Sequence, residues 1–414
     1  VSILFLFVLL AGCMDQREVD DLAYPIAIGL DVGEANKLRL TLQLVSPLSV
    51  GAGQGSEGGG GGGGGGSGGS PATNITVEAP SLYSGISLIN NVLSKQITMS
   101  HTKAIVISKK LAEAGIGKYL SAIQRGREFR PNAFIMVSNE APDEYFKKVK
   151  PLLEGSPAKY YEMLLGKDYA SFYPNVRASE FYYKSESSSV QPVAILTGLG
   201  KYDKIGELKA SQNGDKSKKL KKEGEYAAGN IPIVAEQKNE VMGTAVFKDK
   251  KMVGILNGIQ TTCFQMVTGD FKYTHMTFPD PYDENYIIVL DVTQRRKPII
   301  TVEIVDGIPN VKILIDFEAD YESIQSNLDY EDYPEILEQK TQEILRVNVL
   351  DFLEKTRDEF NSDICGIGNI VKRKYLTWDS WEKFDWFNQY KNTRFEVDVK
   401  LKMRRTGMMI TTVD

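Results

Sequence analysis

The chain has 414 residues, 42% apolar and 25% charged, which suits two or three domains and excludes both a disordered chain and a multi-span membrane protein. Its 49 basic and 54 acidic residues leave a net charge of −5, which argues against nucleic acid as a partner, because phosphate neutralisation needs a surplus of Lys and Arg. Three Cys and two His are too few for a disulfide scaffold or a structural zinc site.

Residues 3–11 form an unbroken apolar stretch, too short to span a hydrocarbon core of about 30 Å as a helix. The stretch ends in Leu10, Ala11, Gly12 and Cys13, and polar Asp15, Gln16 and Arg17 follow at once. This pattern resembles the lipobox of bacterial lipoproteins. The resemblance implies that the Cys13 sulfur receives a diacylglycerol, that the peptide bond before it is cut, and that residues 1–13 are a signal peptide with its lipidated cysteine. Each buried CH₂ of an acyl chain contributes about 0.8 kcal/mol, so a multiply acylated cysteine tethers a body that does not itself span the membrane.

Residues 24–32 and 38–44 read as two strands of a hairpin, the second alternating Leu38, Leu40, Leu42 and Leu44. Residues 51–70 are nearly all Gly and Ser and read as a disordered loop. From residue 75 onward short β-branched runs alternate with amphipathic segments. Strands are expected at 75–78, 104–108 and 133–138, and helices at 83–93, 110–124 and 142–150. That rhythm predicts βαβ-like units around a mixed sheet, an α/β domain over 14–191 closed by the polar stretch 184–191. Residues 192–275 read as a small middle domain, with an apolar run at 193–199, a Lys-rich loop at 212–224 and a hairpin of 241–247 with 252–256. The lysines of that loop read as a solvated surface, with anionic lipid head groups as the sharper alternative.

Residues 276–414 are expected to form a third domain, an antiparallel sheet packed on a long helix. Strand-like runs occupy 286–292, 299–305 and 311–317. A helix opens near Pro334 with Leu337, Leu345, Val349, Phe352 and Phe360 on one face, and residues 393–403 alternate as a closing strand. The acidic stretch 316–335 lacks the order of a calcium loop and reads as a solvated connection. The fold class expected overall is α+β with α/β character, in three domains.

Several stretches together resemble the Ger(x)C family, the C subunits of bacterial spore nutrient-germinant receptors. They are Gly12-Cys13 with Asp15, Arg17-Glu18 and Asp21-Leu22-Ala23, then Ile26-Ala27-Ile28-Gly29-Leu30-Asp31 and Ser100-His101-Thr102-Lys103-Ala104. Further on come Gly243-Thr244-Ala245-Val246-Phe247, Val253-Gly254, Asp363-Ile364-Cys365-Gly366-Ile367-Gly368, Trp378, Trp381 and Arg405-Thr406-Gly407. The resemblance implies a three-domain lipoprotein on the outer face of the cytoplasmic membrane, held in the spore's inner membrane beside integral-membrane A and B subunits. It also implies a part in nutrient-triggered germination, and no enzyme activity or cofactor. Cys13 is the residue to which a chemical role carries over.

Other readings are weaker. Ser100 and Lys103 match the Ser-x-x-Lys of penicillin-recognising enzymes, but they lead into a strand whose alternation parts them. His101 reads as a structural histidine. His275 has no His or Cys close by in sequence to suggest a metal site. Cys263 and Cys365 are expected as two thiols, although an extracytoplasmic setting permits a bridge. Trp378, Trp381, Phe384, Trp386 and Phe387 form the densest aromatic cluster, either core beside the long helix or, at Trp378, Trp381 and Trp386, an interaction surface. A competing function is an extracytoplasmic lipoprotein that captures a small nutrient between its domains.

Overall fold

The computed structural model describes residues 21–45, 72–126, 128–149, 151, 153–154, 156–167, 171–207, 222–326, 330 and 334–405. Cys13, the glycine run 58–66 and all but the end of the Lys-rich loop lie outside the described residues.

In chain order the first half carries β1 (Leu22–Ala23), β2 (Pro25–Val32), β3 (Leu38–Val45), β4 (Ala72–Ala79), α1 (Leu82–Asn90), β5 (Gln96–Ile97) and β6 (Ala104–Ser108). Then follow α2 (Lys109–Ala114), α3 (Gly117–Arg125), β7 (Phe134–Ser138), α4 (Pro142–Lys148), α5 (Pro157–Leu165), α6 (Ala178–Ser185), β8 (Val193–Leu199), β9 (Asn239–Lys248) and β10 (Lys251–Leu256). The single helix expected at 110–124 is two, because Gly115 at φ +113° ends the first.

Strands β2 to β4 and β6 to β10 build one eight-stranded sheet in the order β10-β9-β8-β7-β6-β2-β3-β4. Its centre is parallel, β2 to β6 to β7 to β8, and its flanks are antiparallel hairpins. The parallel strands β6, β7 and β8 are buried along their whole length, as strands covered on both faces must be. One face packs Tyr145, Phe146, Tyr160, Tyr161 and Leu165 of α4 and α5. The other joins a core that continues into the C-terminal half. At the hairpin tip Glu78 accepts from the backbone N–H of Glu34, Ala35 and Asn36 at 3.0, 2.6 and 2.9 Å, which fixes the turn between β2 and β3.

The expected middle domain 192–275 is therefore not a sheet of its own. β8, β9 and β10 extend the first sheet because β7 and β8 pair in parallel, leaving β7 no free edge. The rest of that segment is α7 (Gly258–Thr268), a helix absent from the sequence reading. Asn257 and Gln260 form its capping box and Gly269 closes it in the left-handed conformation. Eight of its eleven residues are buried, so it has no polar face and no helical periodicity to read.

The second sheet comprises β11 (Tyr273–Pro279), β12 (Ile287–Gln294), β13 (Ile299–Val305), β14 (Ile308–Ile324) and, after the helices, β15 (Arg394–Arg405). The order is β11-β12-β14-β13, with β15 on β14. The expected antiparallel sheet holds for β11 to β14, but β15 lies parallel to β14, from Asn310↔Arg394 onward. A parallel pair needs a long crossover. It is supplied by α8 (Pro334–Asp358), α9 (Ile367–Lys372), α10 (Trp378–Phe384) and α11 (Trp386–Gln389). Along α8, Leu337, Leu345, Val349 and Phe352 are at most 1% exposed, each contributing roughly 1.5–3 kcal/mol.

Residues 316–324 of the expected acidic connection are strand. Phe317, Ala319 and Tyr321 face the core, while Asp316, Glu318, Asp320 and Glu322 share the wet face with period two. Among the described residues no helix is long and apolar enough to cross a membrane.

Candidate functional site

The polar stretch 184–191, expected as a solvated boundary, is the seam between the two halves. Ser189, Val190 and Gln191 are 2–3% exposed. They are buried because each polar group finds a partner from the C-terminal half or the β9–β10 hairpin. The Trp381 indole N–H donates to Ser188 Oγ at 2.9 Å, and Ser189 Oγ donates to Asn369 Oδ1 at 2.7 Å. Gln191 N–H donates to the Asp363 carbonyl at 2.8 Å, while its side-chain carbonyl accepts from Asp249 N–H at 2.6 Å. Ser362 Oγ donates to the Phe247 carbonyl on β9 at 2.7 Å.

Asp363 organises this seam. Its carboxylate accepts from the backbone N–H of Gly366, Ile367 and Gly368 at 2.9, 3.2 and 2.7 Å, and from the Trp386 indole N–H at 3.0 Å. Burial pushes its pKa up to about 6, against the pull of those donors. Two glycines let the halves meet. A Cβ at Gly368 would sit 2.3 Å from the Ser189 carbonyl oxygen and from Trp386 Nε1, and a Cβ at Gly254 on β10 would sit 2.3 Å from the Phe360 ring. The Asp363 to Gly368 and Val253-Gly254 motifs thus converge at one place although about a hundred residues separate them.

Helix α7 reinforces the seam from the other side. Thr261 shares a 2.9 Å hydrogen bond with Thr244 of β9, Thr262 donates to the Ser171 carbonyl, and Gln294 of β12 donates to the Met266 carbonyl at 3.1 Å. Phe264 meets Phe352 of α8 edge-on at 6.5 Å. Cys263 on this helix and Cys365 are both free. Burial pushes the Cys263 thiol up to about 12 and the Cys365 thiol upward as well, so neither is a thiolate nucleophile at neutral pH.

Of the three tryptophans read as either core or interaction surface, the seam takes two. Trp381 and Trp386 are 2% and 1% exposed, with their indole N–H groups on Ser188 and Asp363, so they are core. Trp378 is 54% exposed, and Lys372 Nζ lies 4.4 Å from its ring centre. The Ser-x-x-Lys arrangement is not assembled: Thr98 Oγ1 donates to Ser100 Oγ, and Lys103 is paired with Glu162. His101 lies exposed, edge-on to Tyr24 at 4.7 Å.

The outer face of the second sheet holds a further ionisable cluster. His275, Asp291 and Glu322 come from three adjacent strands, with side-chain donor atoms all within 4.8 Å of one another. Sequence distance hid this set, and only strand register assembles it. Burial raises the Asp291 pKa, His275 pulls it down, and Glu322 and Asp320 raise it further. Alongside, Glu318 accepts from Arg404 at 2.6 Å and Arg295 at 2.8 Å and is held below its ordinary value by both. Such a set can hold a cation or keep paired charges in solvent.

Comparison with known proteins places this architecture. Residues 15–198 match the family described as "Spore germination protein N-terminal domain", and residues 242–407 match "Spore germination B3/ GerAC like, C-terminal". "Spore germination protein KC" of Bacillus subtilis is 24% identical, over 99% of this chain and 95% of that protein. "Spore germination protein GerQC" of Bacillus cereus is 20% identical, over 99% of this chain and 98% of that protein. The solved structure titled "Crystal Structure of the GerBC protein" superposes with a TM-score of 0.53 at 16% identity, covering 91% of this chain and 96% of that one, which shows a shared fold. The first match ends within β8 and the second begins within β9, so both contribute strands to the first sheet, and the chain belongs to the Ger(x)C family of spore germination proteins.

Proposed function

We propose that the chain is the C subunit of a spore nutrient germinant receptor, tethered by acylated Cys13 to the outer face of the spore's inner membrane. In this reading it works beside integral-membrane A and B subunits as a non-catalytic scaffold or signal-transmitting component. The observation that carries the reading is the match to both germination domains, over residues 15–198 and 242–407. The chemistry is consistent with it. The two described thiols are held protonated, Ser100 and Lys103 are engaged with other residues, and the buried polar groups of the seam are spent on joining the halves.

The test is co-purification of the tagged protein from detergent-solubilised spore inner membrane, with intact-mass analysis of its amino terminus. Diacylated Cys13 together with integral-membrane partners supports the proposal. Cys13→Ala should release the protein from membranes and impair nutrient germination, and full germination by that variant would overturn the tether.

A second reading, capture of a small nutrient, rests on a crevice of about 320 Å³ between α6 and α7, lined by Asn175, Glu180, Lys184, Gln265 and Asp270. That is the lower end of the size of ligand sites. Saturable binding of an amino acid or sugar, lost in Asp270→Ala, would favour it.

A further inference from the structure

We propose that the turn between α9 and α10, residues 372–378, is a docking point for an anionic lipid surface. This deepens the membrane placement proposed above and rests on it. The turn reads Lys-Arg-Lys-Tyr-Leu-Thr-Trp. Leu376 is 101% exposed and Trp378 is 54% exposed, the one a fully solvated aliphatic and the other an aromatic with an amphipathic ring. Arg373 and Lys374 are exposed and, among the described residues, have no ion-pair partner, while Lys372 rests on the Trp378 face.

The turn is held rigidly, so the exposure is presented and not a frayed end. Tyr375 points inward against Phe384 at 5.0 Å and Trp381 at 5.8 Å, and Thr377 caps α10 by accepting from Ser380 N–H. Trp381 is in turn fastened to Ser188 of the seam.

Scattered exposed apolar residues need no explanation. A fully exposed Leu and an exposed Trp following three consecutive cations do, because the two sets suit different layers of one surface. Lys and Arg gain roughly fivefold each in partitioning beside anionic head groups, and Trp prefers the head-group level, where ring and N–H are both satisfied. The Trp378 N–H already donates to Glu382 at 2.6 Å and can enter that layer without an unpaired donor. Across 372–383 four cations face two carboxylates, whereas the whole chain carries −5. The body is repelled by an anionic surface and this turn attracted, which orients the molecule. The site is a convex projection, so a diffuse charged layer fits it better than the directional ion pairs of a protein groove.

The test uses the full chain, as its cell processes it, reconstituted with vesicles whose acyl chains carry bromine. Phosphatidylglycerol vesicles are compared with pure phosphatidylcholine. Trp381 and Trp386 are buried, so quenching by brominated chains reports Trp378, and Trp378→Phe should abolish it. The expected result is strong quenching on phosphatidylglycerol that fades with added salt and on phosphatidylcholine. The double variant Arg373→Glu, Lys374→Glu should weaken it by about tenfold or more. Equal quenching on both lipids, or quenching untouched by charge reversal, would overturn the proposal. Shielding of Trp378 only in the presence of integral-membrane proteins would also overturn it and make the turn a protein contact. Intact mass reports Cys13 acylation independently, so failure of the tether and failure of the turn are told apart.

Discussion

Two carboxylates, Asp363 in the seam and Glu318 on the outer face of the second sheet, accept hydrogen bonds from several donors yet serve the molecule differently. Asp363 is 0% exposed and its donors are three backbone N–H groups and an indole fixed by the surrounding fold. Glu318 meets two arginines whose side chains are 55% and 66% exposed, where water competes for every partner and salt screens the charges. Polar residues inside the seam therefore specify how the halves join, and polar residues on the open sheet keep a face soluble and available. The contrast lies in desolvation, because only a buried group has no water to fall back on.

The largest effect should come from Asp363→Ala, which leaves four buried N–H donors without an acceptor and should cost about 3 kcal/mol or more. A large drop in the thermal unfolding midpoint checks it, and a small drop would mean that water enters the seam. The same residue gives a pH signature. Burial raises its pKa from 3.8 to about 6. The folded chain then holds the proton more tightly than the unfolded chain, so this group's stabilisation is full below about pH 4 and is lost as pH rises to about 6. Asp363→Asn cannot titrate and should remove that slope from the midpoint measured against pH.

Gly368→Ala probes the close approach alone. Its Cβ must displace the Ser189 carbonyl or Trp386, each 2.3 Å away, and overpacking of this kind costs about 1–3 kcal/mol. A midpoint below wild type but above Asp363→Ala is expected, and a neutral outcome would show that the seam has slack. Glu318→Gln should leave the midpoint essentially unchanged, because Arg295 and Arg404 return to water. If its effect rivalled that of Gly368→Ala, the outer face would be as structural as the seam and the distinction between the two regions would fail.

Much of the architecture was legible from local pattern. The strand Ala104–Ser108 falls where expected, the helix opens at Pro334, and the inward face of Leu337, Leu345, Val349 and Phe352 is as read. The misreadings share one cause. The stretch 184–191 looked like a solvated linker because Ser, Glu and Gln usually are solvated, and α7 was missed because a helix buried on every side shows no amphipathic period. Trp381 and Trp386 could not be told from Trp378 by type or spacing, and His275 lacked a partner only along the chain.

The sequence by itself pointed to the family, to many of the strands and helices, to a lipobox-like pattern at Cys13 and to the buried stripe of the long helix. These follow from short motifs and from periodicities of two and 3.6 residues, which act over a few neighbouring positions. Only the tertiary structure decided that β8 to β10 extend the first sheet, that β15 runs parallel to β14, and that Ser188 to Gln191 bind Asp363, Asn369 and Trp381. Those features depend on which distant groups exclude water together, a property of the assembled core and not of any segment.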